Sequence, residues 1–180
     1  MEVGGLINYA KAKRDIQAWL KEDNKPECRF STMFDLYALP NDFPKYQEAQ
    51  NYSNPYDKVA FLEEAMKDDI DDHRFIPYIQ LHEFESLILS NPSNLEFLYL
   101  EHESAIKALE EQLNAHNNNA ELINERKETA PSKRIIKLIP EYDKVSAGSV
   151  ITDLIGIHNL KANCKHFREW IEKLEQLSKK

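Results

Sequence analysis

Cysteine is scarce in this chain of 180 residues, which contains only Cys28 and Cys164. The two lie far apart in the sequence, and they form no C-x-x-C pair. Zinc sites and disulfide frameworks depend on regularly spaced cysteines, so the sequence argues against both. Because Cys164 has no activating neighbours in the sequence, we interpret it as a core residue.

Long hydrophobic runs are also absent. No segment approaches the roughly 18 uninterrupted apolar residues of a membrane helix, and the mean hydropathy is −0.63. The N-terminus lacks the basic-then-apolar pattern of a secretory signal peptide. We therefore expect a cytoplasmic protein without membrane contact. A hydrophobic fraction of 42% in 180 residues allows one packed domain, with or without an appended subdomain.

Positive charge is in deficit, since 31 Asp and Glu residues face 23 Lys and Arg residues and the net charge is −8. This balance opposes binding of nucleic acid through a broad basic surface. It leaves open an enzyme that meets phosphates through divalent ions, because such ions require carboxylate clusters. The chain also has no P-loop, no GxGxxG and no G-x-S-x-G motif, so we do not expect it to hydrolyse nucleotides by itself.

Helical and extended patterns alternate in the first half of the chain. Apolar spacing predicts helices over residues 8–22, 57–70 and 82–90 and strands over residues 27–36 and 74–81. This order is a βαβ pattern. The rest reads as helices, with a loop over residues 142–148 before three closing helices over residues 149–155, 159–163 and 166–177.

The predicted fold class is α/β, with a small parallel sheet flanked by helices and a mainly helical C-terminal half. We expect residues 1–92 to form the α/β core and residues 93–180 a helical extension packed on it, as a single globular unit. A two-stranded parallel sheet rarely stands alone. Either a third strand lies in an ambiguous segment, or the sheet is completed from outside this chain.

The most informative segment is Arg74–Asn91, where charge interrupts apolar sequence. A short apolar run is followed by the tetrapeptide His82–Glu85, and a second apolar run follows at once. Charge near the end of a core strand lies where open α/β sheets usually carry their sites. The alternative is that the two glutamates cap and flank a helix start, where carboxylates suit the helix dipole.

Asp35 is a second candidate, at the carboxyl end of the first predicted strand. Because parallel strands end at the same edge of a sheet, we expect Asp35 to converge with Glu83 and Glu85. Three carboxylates at one edge suit a Mg²⁺ or Mn²⁺ ion, which prefers oxygen ligands. The alternative for Asp35 is an Asx-turn at a strand end.

Glu83 and Glu85 lie two residues apart, which corresponds to about 200° around a helix, so on a helix they cannot face one ion. In an extended segment they would share a face. Because neighbouring apolar side chains must face the core, we expect the glutamates to flank that stripe on opposite sides. Glu85 is the favoured metal ligand and Glu83 the alternative. His82 is either a partner of the site, a phosphate contact, or a hydrogen-bonded structural residue.

Lys133 and Arg134 form a third candidate, after Pro131 and Ser132 at a predicted helix start. Cations in the first turn of a helix oppose the helix dipole. That conflict suggests a phosphate or a carboxylate cluster as their partner. The alternative is that both side chains are simply solvated.

Four phrases of the sequence are similar to one bacterial family. They are TMFDLYALPNDFPKY (32–46), RFIPYIQLHEFESLIL (74–89), ETAPSKRIIKLIPEYDK (128–144) and ANCKHFREWIEKLE (162–175). In order, and over nearly the whole chain, they resemble the family called domain of unknown function 4276. That family is similar to Toprim-like proteins and often occurs beside ATPases in anti-phage systems.

The resemblance implies a small α/β fold that holds Mg²⁺ with acidic residues and cuts or rejoins nucleic-acid phosphodiesters. By motif, the strand-end aspartate would be Asp35, and the acid after the second strand would be Glu85 or Glu83. Toprim sites usually carry another aspartate two residues after the first. Tyr37 takes that place here, and Asp42 is the nearby substitute.

The chain also departs from the family at its start. Members resembling it usually begin with another strand and helix that carry a Val-Glu-Gly-type glutamate, and this chain starts after that point. We therefore expect a fragment, a shortened gene product or an inactive relative.

Two functional hypotheses follow. The first is a Mg²⁺- or Mn²⁺-dependent Toprim-like nuclease subunit with an ATPase partner, which uses the acidic residues above, with Lys133 stabilising the developing negative charge. The second is a non-catalytic partner subunit of such a system. A plain helical binding module is a third option. DNA and RNA both remain open as substrates, and a homo-oligomer is compatible with the sequence.

Overall fold

The computed structural model describes residues 6, 8–124 and 129–177. They form a mixed α/β structure with two small parallel ladders flanked by helices and a helical C-terminal half, which confirms the predicted fold class. The chain divides into two compact units, Met1–Leu81 and His82–Lys180. In the described part of the chain, no helix is both long enough and apolar enough to cross a bilayer.

The elements of the first unit are α1 (Tyr9–Glu22), β1 (Phe30–Ser31), β2 (Phe34–Asp35), α2 (Tyr46–Ala49), α3 (Pro55–Ile70), β3 (Phe75–Ile76) and β4 (Ile79–Gln80). Those of the second unit are α4 (Glu85–Ile88), α5 (Glu103–Ala115), α6 (Pro131–Leu138), α7 (Lys144–Asn163) and α8 (Lys165–Leu177). In the described part of the chain, 3₁₀ turns lie between these elements at Leu36–Ala38, Pro92–Phe97, Leu100–His102 and Ala120–Leu122.

The strands of the first unit pair in parallel, as the βαβ pattern predicts, but each is broken in two. β1 pairs with β3, and β2 pairs with β4. The break between the two ladders falls at Pro77 and Tyr78. The Thr32 hydroxyl replaces a backbone partner there, accepting from Tyr78 N at 3.3 Å and lying 3.4 Å from Tyr78 O. The predicted strands over 27–36 and 74–81 are therefore confirmed in position and pairing, but each is shorter than predicted and broken in two.

Helices α1 and α3 supply much of the core of the first unit. Asn8 caps α1 by accepting from Lys11 N at 2.8 Å, as expected for a helix that starts here. Buried side chains of the two helices join those of the strands in one cluster, which includes Ile16, Leu20, Leu62, Met66, Phe75 and Ile79. Burial of this apolar surface is the main force that holds such short strands together.

The second unit departs from prediction around residue 144. Asp143 accepts hydrogen bonds from Val145 N and Ser146 N, so α7 begins at Lys144, and the predicted loop over 142–148 is wrong. The predicted break after residue 155 is confirmed. Gly156 interrupts α7 with φ 72° and ψ 153°, a conformation that is essentially restricted to glycine.

Candidate functional site

The predicted acidic residues fall into both units. In the first unit, Asp35 is the half-buried last residue of β2. Asp42 is exposed, and its carboxylate accepts from Tyr9 N at 3.0 Å and Ala10 N at 3.3 Å, at the start of α1. Acceptors in this position suit the helix dipole. The grouping of Asp35 with the glutamates of the second unit stays a prediction.

Glu83 and Glu85 converge on one cation. Lys144 Nζ lies 3.2 Å from Glu83 Oε2 and 3.4 Å from Glu85 Oε1. The expectation that the two glutamates flank the apolar stripe on opposite sides is therefore wrong. The reason is local: α4 begins only at Glu85, and His82 has a left-handed φ of 64°, so Glu83 precedes the helix and does not follow its 100° spacing.

Glu83 also lies at the start of α6. Its Oε1 accepts a hydrogen bond of 2.5 Å from Ser132 N, in the first turn of a helix whose first residue is Pro131. A carboxylate here satisfies a backbone N–H that has no partner within the helix and favours the helix dipole. Lys144 and the α6 N-terminus thus hold the Glu83 carboxylate from two sides.

The two basic residues that follow in α6 behave differently. Lys133 is exposed to solvent. The Arg134 guanidinium is held by the chain, because it donates to Thr129 O at 2.7 Å and Gln112 Oε1 at 2.9 Å. Of the two predicted cations, Lys133 is the one placed to meet a ligand from solvent.

Burial makes Glu85 the unusual acid of the pair. Its side chain is only 5% exposed. Burial raises the pKa of Glu85 and the Glu83 charge adds to the rise, while Lys144 opposes both. A buried carboxyl with a raised pKa, beside a lysine that is 39% exposed, is a combination often found at functional sites.

Tyr142 adds a polar group to the same region. Its side chain is buried, and its hydroxyl makes no hydrogen bond to the described residues. Burial and the charge of Glu85 raise the pKa of Tyr142 well above its usual value, so the hydroxyl stays protonated. We refer to Glu83, Glu85, Lys144 and Tyr142 as the acidic site.

His82 takes part in a separate buried arrangement. Its Nε2 is 2.9 Å from Glu121 O, and the fully buried Glu121 carboxylate accepts from His166 N at 2.9 Å and Phe167 N at 3.0 Å. This carboxylate satisfies two N–H groups in the first turn of α8. The contacts that His82 makes here suit a structural role, one of the alternatives left open by the sequence.

His82 gives a testable pH dependence. Burial lowers the pKa of His82 to about 4, below its ordinary value of about 6.5. The unfolded chain therefore binds a proton at pH 5 and the folded one does not, so stability falls as pH drops from about 6.5 towards 4. Between pH 7 and pH 5 the loss from this group is about 2 kcal/mol, measurable by urea unfolding.

A variant isolates this contribution. Asparagine tolerates a left-handed φ, so His82→Asn is compatible with the backbone at this position. In this variant, the loss of stability between pH 7 and pH 5 is expected to be smaller than in wild type by about 2 kcal/mol. The exposed His158 provides the matched control, and His158→Asn should keep the wild-type loss. An unchanged pH dependence in His82→Asn would contradict the assignment.

The acidic site offers a divalent ion two carboxylates, those of Glu83 and Glu85. Among residues 6, 8–124 and 129–177, no group of three or more His, Cys, Asp or Glu side chains is arranged to hold a metal. Two carboxylates nevertheless converge on one position. Mg²⁺ is commonly bound by one or two carboxylates, with water and substrate phosphates completing its shell. The pair therefore fits such an ion in chemistry, with solvent or substrate as the remaining ligands.

Sequence reasoning missed Lys144 and Tyr142. Both belong to the phrase Glu128–Lys144 that resembles a known family, but their segment reads as a loop. The signal that could have located them is Asp143, a good helix N-cap, followed at once by a lysine in the disfavoured first turn. A cation at that position indicates a nearby carboxylate.

Comparison with known proteins identifies a family. Residues 2–175 match the model of a family described as a domain of unknown function (DUF4276). No curated protein and no solved structure matches the chain.

Proposed function

The chain belongs to the DUF4276 family, and from that premise we propose that it is a Toprim-like, Mg²⁺- or Mn²⁺-dependent nuclease subunit that hydrolyses nucleic-acid phosphodiesters. One observation carries the proposal. Two largely buried carboxylates, Glu83 and Glu85, are directed at a single cation position, where Lys144 Nζ now lies. Such a pair creates a local field that favours positive charge, and a divalent ion carries two positive charges where the lysine carries one.

The two glutamates and Lys144 each have a role in this proposal. Glu83 and Glu85 would hold the ion, which when bound neutralises phosphate charge and acidifies water. Glu83 is kept in place by the backbone of Ser132. Lys144 Nζ, on a partly exposed flexible side chain, can leave the carboxylates and bind a phosphate oxygen instead.

Lys133 provides a second cation from solvent, one residue after the N–H that binds Glu83. It can stabilise negative charge that develops on the phosphate. A chain with net charge −8 attracts nucleic acid poorly at long range. We therefore expect cleavage to depend on the ion and on these local cations rather than on steering.

The proposal predicts a large effect from one substitution. In Glu85→Gln, which keeps the shape of the side chain but loses its charge, nicking of supercoiled plasmid in Mn²⁺ is expected to fall by about 100-fold or more. Glu172→Gln is the matched control, because Glu172 is exposed on α8, and it should cut at the wild-type rate. Single-stranded RNA is tested in parallel as the second substrate.

The proposal fails if purified wild-type protein cuts neither substrate with Mg²⁺ or Mn²⁺. It also fails if Glu85→Gln and wild type cut equally fast. Activity in wild type that is lost in Glu85→Gln but retained in Glu172→Gln supports it.

A second candidate function is a non-catalytic subunit that binds an ATPase partner. Exposed apolar side chains in the second unit favour it, with Phe97 66%, Leu100 74% and Val145 78% exposed. A double variant, Phe97→Ser with Leu100→Ser, should lose binding to the purified ATPase by calorimetry and keep its own melting temperature. Under this function wild type binds the ATPase without cutting nucleic acid.

A further inference from the structure

The hydroxyl of Tyr142 is a buried polar group that the roles above leave unused. Tyr142 is 5% exposed, and its Oη has no hydrogen-bond partner among the residues that the structure describes. A buried hydroxyl without a partner is costly, so native proteins usually satisfy it with protein or with ordered water. The group therefore requires an occupant from outside the described chain.

The surroundings of this hydroxyl locate the occupant. A Cβ placed on Gly148 of α7 would lie 3.9 Å from Tyr142 Oη and 3.4 Å from Phe84 Cε1. The hydroxyl thus lies beside α7 and next to Phe84, the residue between Glu83 and Glu85. Gly148 lies one turn of α7 after Lys144, whose Nζ is 3.4 Å from Glu85 Oε1, so the hydroxyl and the Glu85 carboxylate lie along the same face of this helix. Gly148 carries no side chain that would fill the adjacent space.

The chemistry of the two groups selects what can lie between them. Tyr142 offers a donor, and the Glu85 carboxylate that faces Lys144 offers acceptors. A group that joins them must accept from the first and donate to the second. A phosphate oxygen or a second carboxylate cannot donate, and an ammonium cannot accept. Water does both, and buried waters typically make two to four such hydrogen bonds.

We propose that Tyr142 and Glu85 together hold a water molecule, and that Tyr142 is a positioning residue for the water consumed in phosphodiester hydrolysis. The role of Tyr142 in hydrolysis rests on the proposed nuclease function, and the water site itself does not. In that reaction the water oxygen bonds to phosphorus and the ester P–O bond breaks. The electron pair of the broken P–O bond stays with the alcohol oxygen, which takes one proton of the water. The other proton of the water is released from the phosphate product.

The first test is structural. A high-resolution crystal structure of the wild-type protein should contain an ordered water within about 3.2 Å of both Tyr142 Oη and the Glu85 carboxylate. The same water should be absent from crystals of Tyr142→Phe. The proposal is overturned if Tyr142 Oη bonds directly to a protein group, or if no water lies between the two side chains.

The second test is kinetic and uses plasmid nicking in Mn²⁺. In Tyr142→Phe we expect kcat to fall by about tenfold or more with KM unchanged, because only positioning of the nucleophile is lost. Tyr52→Phe, in the first unit, is the matched control and should leave both constants at wild-type values. A variant with wild-type kcat would overturn the positioning role.

The two tests separate this inference from the nuclease proposal. A water on both side chains in a wild-type protein that cuts nothing supports the water site and rejects the nuclease function. Cleavage by the wild-type protein with no water at Tyr142 supports the nuclease function and rejects the water site. The crystal structure of the wild-type protein alone decides whether the water site exists. The proposal can therefore be overturned even if the Tyr142→Phe variant fails to fold.

Discussion

Lys144→Met is expected to destabilise the second unit at pH 8 by about 2 kcal/mol, and Mn²⁺ is expected to reverse the loss. The substitution leaves Glu83 and Glu85 facing each other without the cation that now lies 3.2 and 3.4 Å away. Breaking a buried ion pair costs about 3–5 kcal/mol. We reduce that figure because the Lys144 side chain is 39% exposed and solvent screens it.

The pH dependence of this variant has a definite sign. Burial already raises the pKa of Glu85, and Lys144 is the group that opposes the rise. Without the lysine the folded state binds a proton at Glu85 more tightly than the unfolded chain does. Such a group stabilises the fold at low pH and loses that contribution as pH rises through the folded pKa. Lys144→Met should therefore approach wild-type stability as pH falls from 8 to 5.

Added Mn²⁺ tests whether the two glutamates bind a divalent ion in place of Lys144. In EDTA the variant should melt below wild type, and added Mn²⁺ should raise its melting temperature more than that of wild type, because no lysine competes for the carboxylates. Lys173→Met, at an exposed position of α8, should respond like wild type. A loss that Mn²⁺ does not reverse would mean that the two glutamates form an ordinary ion pair with Lys144.

Glu121→Ala is expected to cost about 3 kcal/mol in the free energy of unfolding, measured by urea denaturation. The carboxylate is fully buried and accepts from the backbone of His166 and Phe167. Removing it leaves two buried N–H groups of α8 without their acceptor and opens a cavity. Bonds from N–H to a charged acceptor are worth more than neutral ones, which places this effect among the largest in the chain.

Two further variants separate the charge from the contact. Glu121→Gln keeps the shape and one acceptor oxygen, so about half of the loss is expected. Glu172→Ala removes an exposed glutamate from α8 and should stay within about 0.5 kcal/mol of wild type. If Glu121→Ala behaves like Glu172→Ala, the carboxylate does not hold the start of α8 in solution.

The local elements of this fold are largely readable from the sequence. Asn8 marks the start of α1 as a side-chain cap, and the parallel pairing of two segments follows from the βαβ order. The break between the two ladders is not readable in this way, because the Thr32 hydroxyl, from the paired strand, takes the place of a backbone acceptor for Tyr78 N.

The acidic site is readable only in part. Glu83 and Glu85 stand out because they interrupt apolar sequence, but their orientation depends on the left-handed backbone of His82, which no periodicity predicts. Their partners Ser132 and Lys144 lie 49 and 61 residues from Glu83 in the chain. Such contacts are set by the packing of whole helices, and spacing within one segment carries no information about them.

The most direct test of the central claim, that Glu83 and Glu85 form a divalent-cation site, is calorimetric titration of the wild-type protein with Mn²⁺ beside the double variant Glu83→Gln with Glu85→Gln. We expect wild type to bind a single ion with millimolar or tighter affinity, and the double variant to bind it at least about tenfold more weakly. Absence of binding to wild type at millimolar Mn²⁺, or equal binding to both proteins, would contradict the account.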